Sequence, residues 1–306
     1  MKPIIIILLM LGLILNVRAD ADHFVLNIKV VDNDTLKPVE NAKVVVSFSP
    51  GGKLGGASIN KEGATDANGS VVIEGDSIFE MRVGAKKEGW YWSGLTAPNH
   101  VPDAKGKYYP KSKQDIILKI RKIKNPIPMY AKRIELISPE NGKKIGYDFK
   151  VGDWVTPHGK GKTADMFILS ELSQRGPRDF DHTILISFPN EHDGIKEIFY
   201  DTLSEFKSDY LAPEQGYQAS WKYIRSRRPD EGEKGNVNRN RNYLLRVRTN
   251  ADKSGKIESA NYVKIYGEIP RFSYYFNPTP NDRNLEFDPA KNLFDEILRD
   301  ELVTDP

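Results

Sequence analysis

Two prolines, Pro126 and Pro128, stand in the segment Lys124 to Tyr130 of a chain otherwise dominated by strand-like alternation. Neither has a backbone donor, and each pushes the residue before it into an extended conformation. The segment therefore reads as a short, stiff connector that joins no central strand. It sets the expected plan: a signal peptide at 1–19, a β-sandwich at 23–123, a proline linker at 124–130 and a larger β-rich domain at 131–306.

The N-terminal reading rests on Lys2, the twelve-residue apolar run Ile4 to Leu15, and Val17 and Ala19 before Asp20. A run of that length fits a cleavable export signal better than a membrane anchor, which needs roughly 20 apolar residues. No other run approaches that length, so no membrane span is expected after signal removal. Cleavage would remove Lys2 and Arg18 and no acid, leaving 43 basic residues against 42 acidic ones and a formal charge of +1. Such a balance gives no electrostatic case for nucleic acid or an anionic membrane surface as the partner. The chain has no cysteine, which excludes disulfides, thiolate metal sites and cysteine nucleophiles. Together these features point to an exported bacterial protein, periplasmic or extracellular, whose domains are held by ordinary apolar cores.

In the first domain Phe24, Leu26, Ile28 and Val30 alternate with Val25, Asn27 and Lys29, the period of a strand with one buried face. Further strands are expected at Ala42 to Phe48, Val71 to Ile73, Met81 to Ala85 and Ile116 to Ile120, separated by turn-forming clusters and by a Gly-rich loop at Pro50 to Gly56. Pro38-Val39-Glu40-Asn41-Ala42-Lys43-Val44, then Thr65-Asp66-Ala67-Asn68-Gly69, then Met81-Arg82-Val83-Gly84-Ala85 running to Gly89-Trp90, resemble a carboxypeptidase regulatory-like domain over roughly residues 24–120. The resemblance implies a transthyretin-like or immunoglobulin-like β-sandwich of about seven strands, an accessory module of exported proteins without catalytic residues of its own. Trp90 stands where that family usually has Tyr, and Tyr91 to Asp115 makes a long connection before the last strand. That connection contains Trp92, which would stack on a sugar face if exposed. Trp90 reads more simply as a cover for the open end of the sandwich.

The second domain carries no family signature. Strands are expected at Arg133 to Ile137, Tyr147 to Val151, Met166 to Leu169, Thr183 to Phe188, Tyr243 to Val247 and Tyr262 to Ile269, giving a β-sandwich or jelly-roll-like domain. Ile195 to Phe206 fits a helix or a strand. Asp288 as N-cap, Pro289 at the first helical position, and Leu293, Phe294, Ile297, Leu298 and Leu302 on one side predict a short amphipathic C-terminal helix. The fold class is therefore all-β with one short helix.

Candidate chemistry is scattered. Gly161-Lys162-Thr163 lacks the earlier glycine of a phosphate-binding loop. The turn Asn190 to Gly194 places His192 and Asp193 among oxygen donors; it reads as a solvated turn more readily than as a calcium loop or an acid/base pair. His158 and His182 lie 24 residues apart, outside the usual ligand spacings, so no metal site and no cofactor is expected. Tyr274, Tyr275, Asn281 and Arg283 belong to the densest mixture of aromatic and planar polar side chains, a composition suited to sugars, although Tyr274 and Phe276 are also in phase to pack inward. With Trp92, Trp154, His158, His192 and Asp193 they make up the candidate ligand-binding set. Arg246 and Arg248 should alternate outward as part of a solvated face. No nucleophile elbow or assignable carboxylate pair occurs among the 42 acids. The sequence thus points to a noncatalytic exported protein binding a polysaccharide or an envelope protein; the alternative is a carbohydrate-active enzyme with its carboxylates in 131–306.

Overall fold

The computed structural model describes residues 21–51, 57–200 and 203–306, so the signal-peptide reading and most of the Gly-rich loop fall outside the described residues. In chain order the strands are β1 (Asp22–Asp32), β2 (Lys43–Phe48), β3 (Ile59–Ala64), β4 (Ser70–Ser77), β5 (Met81–Lys86), β6 (Trp90–Tyr91), β7 (Ser93–Ala97), β8 (His100–Pro102), β9 (Tyr108–Pro110) and β10 (Lys113–Lys122). They continue as β11 (Ile127–Glu135), β12 (Lys144–Asp148), β13 (Asp153–Trp154), β14 (Met166–Gly176), β15 (Asp179–Ser187), β16 (Gly194–Phe199), β17 (Leu203–Ser204), β18 (Ser220–Arg228), β19 (Gly232–Gly235), β20 (Arg241–Ala251), β21 (Ile257–Tyr266), β22 (Arg271–Asn277) and β23 (Phe287–Asn292). No helix occurs among the described residues, and none there is long and apolar enough to cross a membrane. Two compact units emerge: described residues up to Lys87 with Gly94–Ile120, and Glu88–Ser93 with Arg121–Pro306.

In the first unit β1 pairs antiparallel with β4 and parallel with β10, while β2 lies between β3 and β5. The alternating residues of β1, β2, β5 and β10, from Phe24 to Ile120, are buried as their period requires. The two turn motifs are fastened to one another. The Thr65 hydroxyl donates to the Val39 carbonyl (2.7 Å) and accepts from the Ala42 amide (2.8 Å). Asp66 accepts from the Asn68 and Ser70 amides, and Gly69 takes φ +73° where a Cβ would stand 2.6 Å from the Val30 carbonyl oxygen. The long connection contains three short strands, β7 to β9.

The second unit is built on two six-stranded sheets, ordered β16-β20-β21-β22-β11-β23 and β13-β12-β14-β15-β18-β19. Ile168, Ile184, Ile186 and Tyr223 of one sheet meet Leu245, Val263, Ile265, Phe272 and Tyr274 of the other in a single core. Two expectations are corrected here. Ile127 to Tyr130 does not stand outside the sheet; it opens β11, between β22 and β23. Pro128 is tolerated because β22 pairing begins only at Tyr130 and the β23 register shifts between Ile127 and Met129, so neither neighbour needs a proline donor. The predicted C-terminal helix is also absent. Asn292 bonds both the amide and the carbonyl of Ala131, and Ile127 donates to the Glu286 carbonyl, so β11 claims this segment as an edge strand. Leu293, Leu298 and Leu302 are left exposed instead of sharing a buried stripe.

The face of β21 turned away from that core is buried too, and it carries Lys264. The side chain is 0 % exposed and its Nζ has no hydrogen-bond partner. The rings of Tyr275, Tyr266 and Phe206 surround the amine at 4.4, 4.8 and 4.9 Å. Burial drives its pKa well below the ordinary lysine value, and the nearby Glu286 charge opposes that shift. Between that depressed value and the ordinary one the folded amine gives up its proton while the unfolded chain keeps it. The unfolded state then binds more protons, and stability should climb with pH from the depressed folded pKa up to about 10.4. Lys264→Met should flatten this dependence and raise stability by about 1–3 kcal/mol near neutrality, as expected for removing an unsatisfied buried donor; urea unfolding across pH measures both.

Candidate functional site

An open cleft of about 470 Å³ runs along the edge of the second unit, lined by Lys132 to Leu136 of β11 and its continuation, by Tyr147, Gly152, Asp153 and Trp154, and by Arg271, Asp300 and Glu301. Trp154 reaches it because the chain reverses tightly after β12. Gly152 adopts φ +72° and donates to the Asp148 carbonyl (2.7 Å), and a Cβ there would stand 3.0 Å from both Phe294 and the Tyr274 hydroxyl. Asp153 accepts from the Trp154 and Lys160 amides at 2.8 Å each, fixing the following loop. The indole meets Tyr147 edge-on, with centroids 5.5 Å apart.

Charges on the cleft wall are mostly paired. Lys132 contacts Glu301 at 3.0 Å, and Arg271 contacts Glu135 at 2.7 Å. Arg133 and Asp300 have no ion-pair partner among the described residues, and Arg133 shares the strand phase of Ala131, on the face of β11 opposite to the one from which Lys132 meets Gly152. The C-terminal segment is brought here by the Arg133 amide, which donates to the Glu301 carbonyl (2.8 Å).

Beneath the loop lies an ion cluster. Asp148 accepts from the amides of Lys150, Val151, Lys162 and Thr163, and Asp165 accepts from the Phe149 amide. Arg248 binds Asp165 through Nε (2.6 Å) and Nη2 (3.0 Å) and Asp148 through Nη2 (3.1 Å), with its guanidinium 4.9 Å from the centre of the Phe276 ring. Burial pushes the Asp165 carboxyl upward, and the Arg248 hydrogen bonds and charge pull it back. The expected outward direction of Arg248 is thereby corrected. Pairing of β20 with β21 shifts register between Val247 and Asn250, and Arg248 sits there at φ +54°, so the irregularity turns it onto the core side. Arg246 keeps the expected phase, donating to the His192 and Glu214 carbonyls (2.9 Å each).

Of the nine sequence-derived candidates, only Trp154 lines the cleft. His158 is on the same loop but turns to Glu140, 3.5 Å away. His192 and Asp193 form the expected turn: Asp193 Oδ1 accepts from the Thr249 amide (2.9 Å) and the Asn190 amide group donates to the Thr249 carbonyl. Tyr274 and Tyr275 are 0 % and 1 % exposed, on opposite faces of β22, so neither ring is open to a ligand. Asn281 is a turn residue at φ +62° that bonds Ala260 and Glu258, and Arg283 pairs with Glu214 at 2.8 Å. Trp92 is partly exposed and exchanges backbone and carboxylate contacts with Glu205. Among the described residues no group of three metal-ligating side chains converges. Lys132, Glu135, Arg271 and Glu301 were missed, since ordinary charged residues on separate segments carry no spacing signal until strand pairing unites them.

No protein-family model matches the chain, and no curated protein matches it. Three solved structures are similar in part. One, named "putative carbohydrate binding protein" from Bacteroides uniformis, is 6 % identical, with 84 % of this chain and 98 % of that one covered and a TM-score of 0.22. A DUF3823 family protein of the same organism is 8 % identical (83 % and 96 % covered, TM-score 0.18). BcpA, the major pilin subunit of Bacillus cereus, is 12 % identical (84 % and 96 % covered, TM-score 0.22). At these scores the likenesses carry no argument about this chain.

Arg248→Ala would leave Asp165, which is 0 % exposed, without its counter-charge. The variant should lose about 3–5 kcal/mol of unfolding free energy in urea, as breaking a buried pair does. Lys in its place should recover only part of the loss, because it has no fork to span two carboxylates.

Proposed function

We propose that this chain is an exported, noncatalytic two-domain β protein that binds a glycan at the cell envelope or surface. In this reading the first unit serves as an accessory module of the carboxypeptidase regulatory-like kind, and the second unit, which includes β11 and its prolines, holds the site. The observation that carries the reading is the Trp154 cleft: an open, partly aromatic trough edged by carboxylates, a guanidinium and an ammonium that are largely held in pairs. Sugars present apolar ring faces edged by hydroxyls, which such a surface can match by stacking and bidentate hydrogen bonds. The apolar N-terminal run followed by small residues supports export.

Residues 20–306 incubated with insoluble and soluble polysaccharides, scoring retention and released sugar in the same tubes, test the proposal. Retention without release is expected. Trp154→Ala should weaken retention at least tenfold while the far-UV spectrum shows the variant still folded at the assay temperature, with an unfolding midpoint lowered by the lost packing against Tyr147. Release of sugar at enzymatic rates would overturn the noncatalytic reading, and retention unaffected by the variant would move the site elsewhere.

A further inference from the structure

Next to the Trp154 cleft, and sharing only Glu135 and Leu136 with it, is a second pocket of about 420 Å³. It opens at one end of the sandwich. Leu136, Ile137 and Pro270 lie on one side, and Leu172, Ser170 and His182 on the other. Ile137 and Leu172 are 70 % and 43 % exposed at its mouth. Ser170 and His182 occupy the inward phase of their strands, continuing the rows Met166-Ile168 on β14 and Ile186-Ile184 on β15 that line the core. Two polar residues thus stand where the strand pattern asks for apolar ones.

They satisfy each other only in part. Ser170 Oγ and His182 Nε2 are 3.0 Å apart. A hydroxyl offers one donor and two acceptor sites, and the second imidazole nitrogen has no hydrogen bond among the described residues, so the pair retains bonding capacity toward the pocket. The groups around the imidazole are Ser170 from β14, Tyr223 and Arg225 from β18, and Glu135 from β11 at the pocket wall. Arg225 is bound by Glu233 in a two-pronged contact of 2.9 Å each, and Glu135 by Arg271 at 2.7 Å. Burial and the Arg225 charge both push the imidazole below its ordinary pKa, which keeps it neutral near pH 7.

We infer that this pocket binds a small uncharged molecule with an apolar body and one hydrogen-bonding group, the body against Leu136, Leu172 and Pro270 and the polar group at Ser170 and His182. An apolar cavity with a few convergent polar atoms has the anatomy of a small-ligand site, and neutralised surroundings disfavour an ion of either sign. The inference does not depend on glycan binding in the neighbouring cleft.

Saturation-transfer difference NMR on the full chain at about pH 7.5, with benzyl alcohol, benzoate and benzylamine as separate probes, tests it. The expected result is transfer to benzyl alcohol at least threefold stronger than to either ion. Ser170→Ala should reduce that signal severalfold, and Leu172→Glu, at a half-exposed position that tolerates charge, should abolish it. Trp154→Ala should leave it unchanged, which separates this pocket from the cleft. No transfer to benzyl alcohol, equal transfer to all three probes, or a signal insensitive to Ser170→Ala and Leu172→Glu would overturn the inference.

Discussion

Arg248 holds the second unit's candidate site in place. It reaches from one sheet to the opposite one, where Asp148 and Asp165 are fixed at the two ends of the loop that presents Trp154. The loop has few large apolar residues and many glycines and lysines, so it cannot shape itself by burial. Its form follows from backbone amides converging on carboxylates, and those carboxylates can be buried only because a guanidinium neutralises them. Remove the bridge and the loop loses the reason for its fold before the core loses any contact.

On the far face of the same sheet a second carboxylate does comparable work. Glu286 accepts from the Tyr91 hydroxyl (2.9 Å) and from the amides of Lys124 and Asn125 (2.7 and 2.8 Å). Asn284 adds a bond to the Asn125 carbonyl (2.7 Å). The segment before the prolines is therefore tied down by side chains from the end of the chain, since prolines leave it too few donors to be held by a sheet ladder alone. Lys264 lies behind this arrangement among aromatic rings, where cation–π attraction and the Glu286 charge favour the proton and loss of water disfavours it. Complete burial makes desolvation the larger effect.

Period-two alternation made many strands legible: β1, β2, β5 and β10 fall where their apolar residues alternate, because one sheet face is buried and the pleat forces every second side chain inward. What alternation could not reveal is where it breaks. Arg248 sits at an irregularity that nothing in LRVRTN announces, and the slip changes a surface arginine into a half-buried clamp. The helix expected after Asp288 failed for a related reason, since capping residues describe a local preference and the free edge of β11 offered the same segment a ladder. Trp154 was found in the sequence because tryptophan is conspicuous. Its cleft partners are charged residues like dozens of others, and only the fold distinguishes them. Ser170 and His182 were legible in principle, as polar residues standing in an apolar phase.

The acid-rich segments of the second unit look more catalytic in sequence than in space. Asp148 accepts five hydrogen bonds, four from backbone amides and one from Arg248. A carboxylate has about four lone-pair sites, so Asp148 has none left for a substrate. Asp153 has both oxygens engaged by amides, Asp165 is closed off by Phe149 and Arg248, and Asp193 is pegged to Thr249. Asp193 was a candidate because it sat beside His192 in a loop, and it, like the other three acids, is explained by the turn it builds. The polar pair with bonding capacity left, Ser170 and His182 in the pocket beside the cleft, comes from strands. Regular elements fix their positions, as a binding surface requires, while the loop acids serve mainly to hold one tryptophan at the cleft.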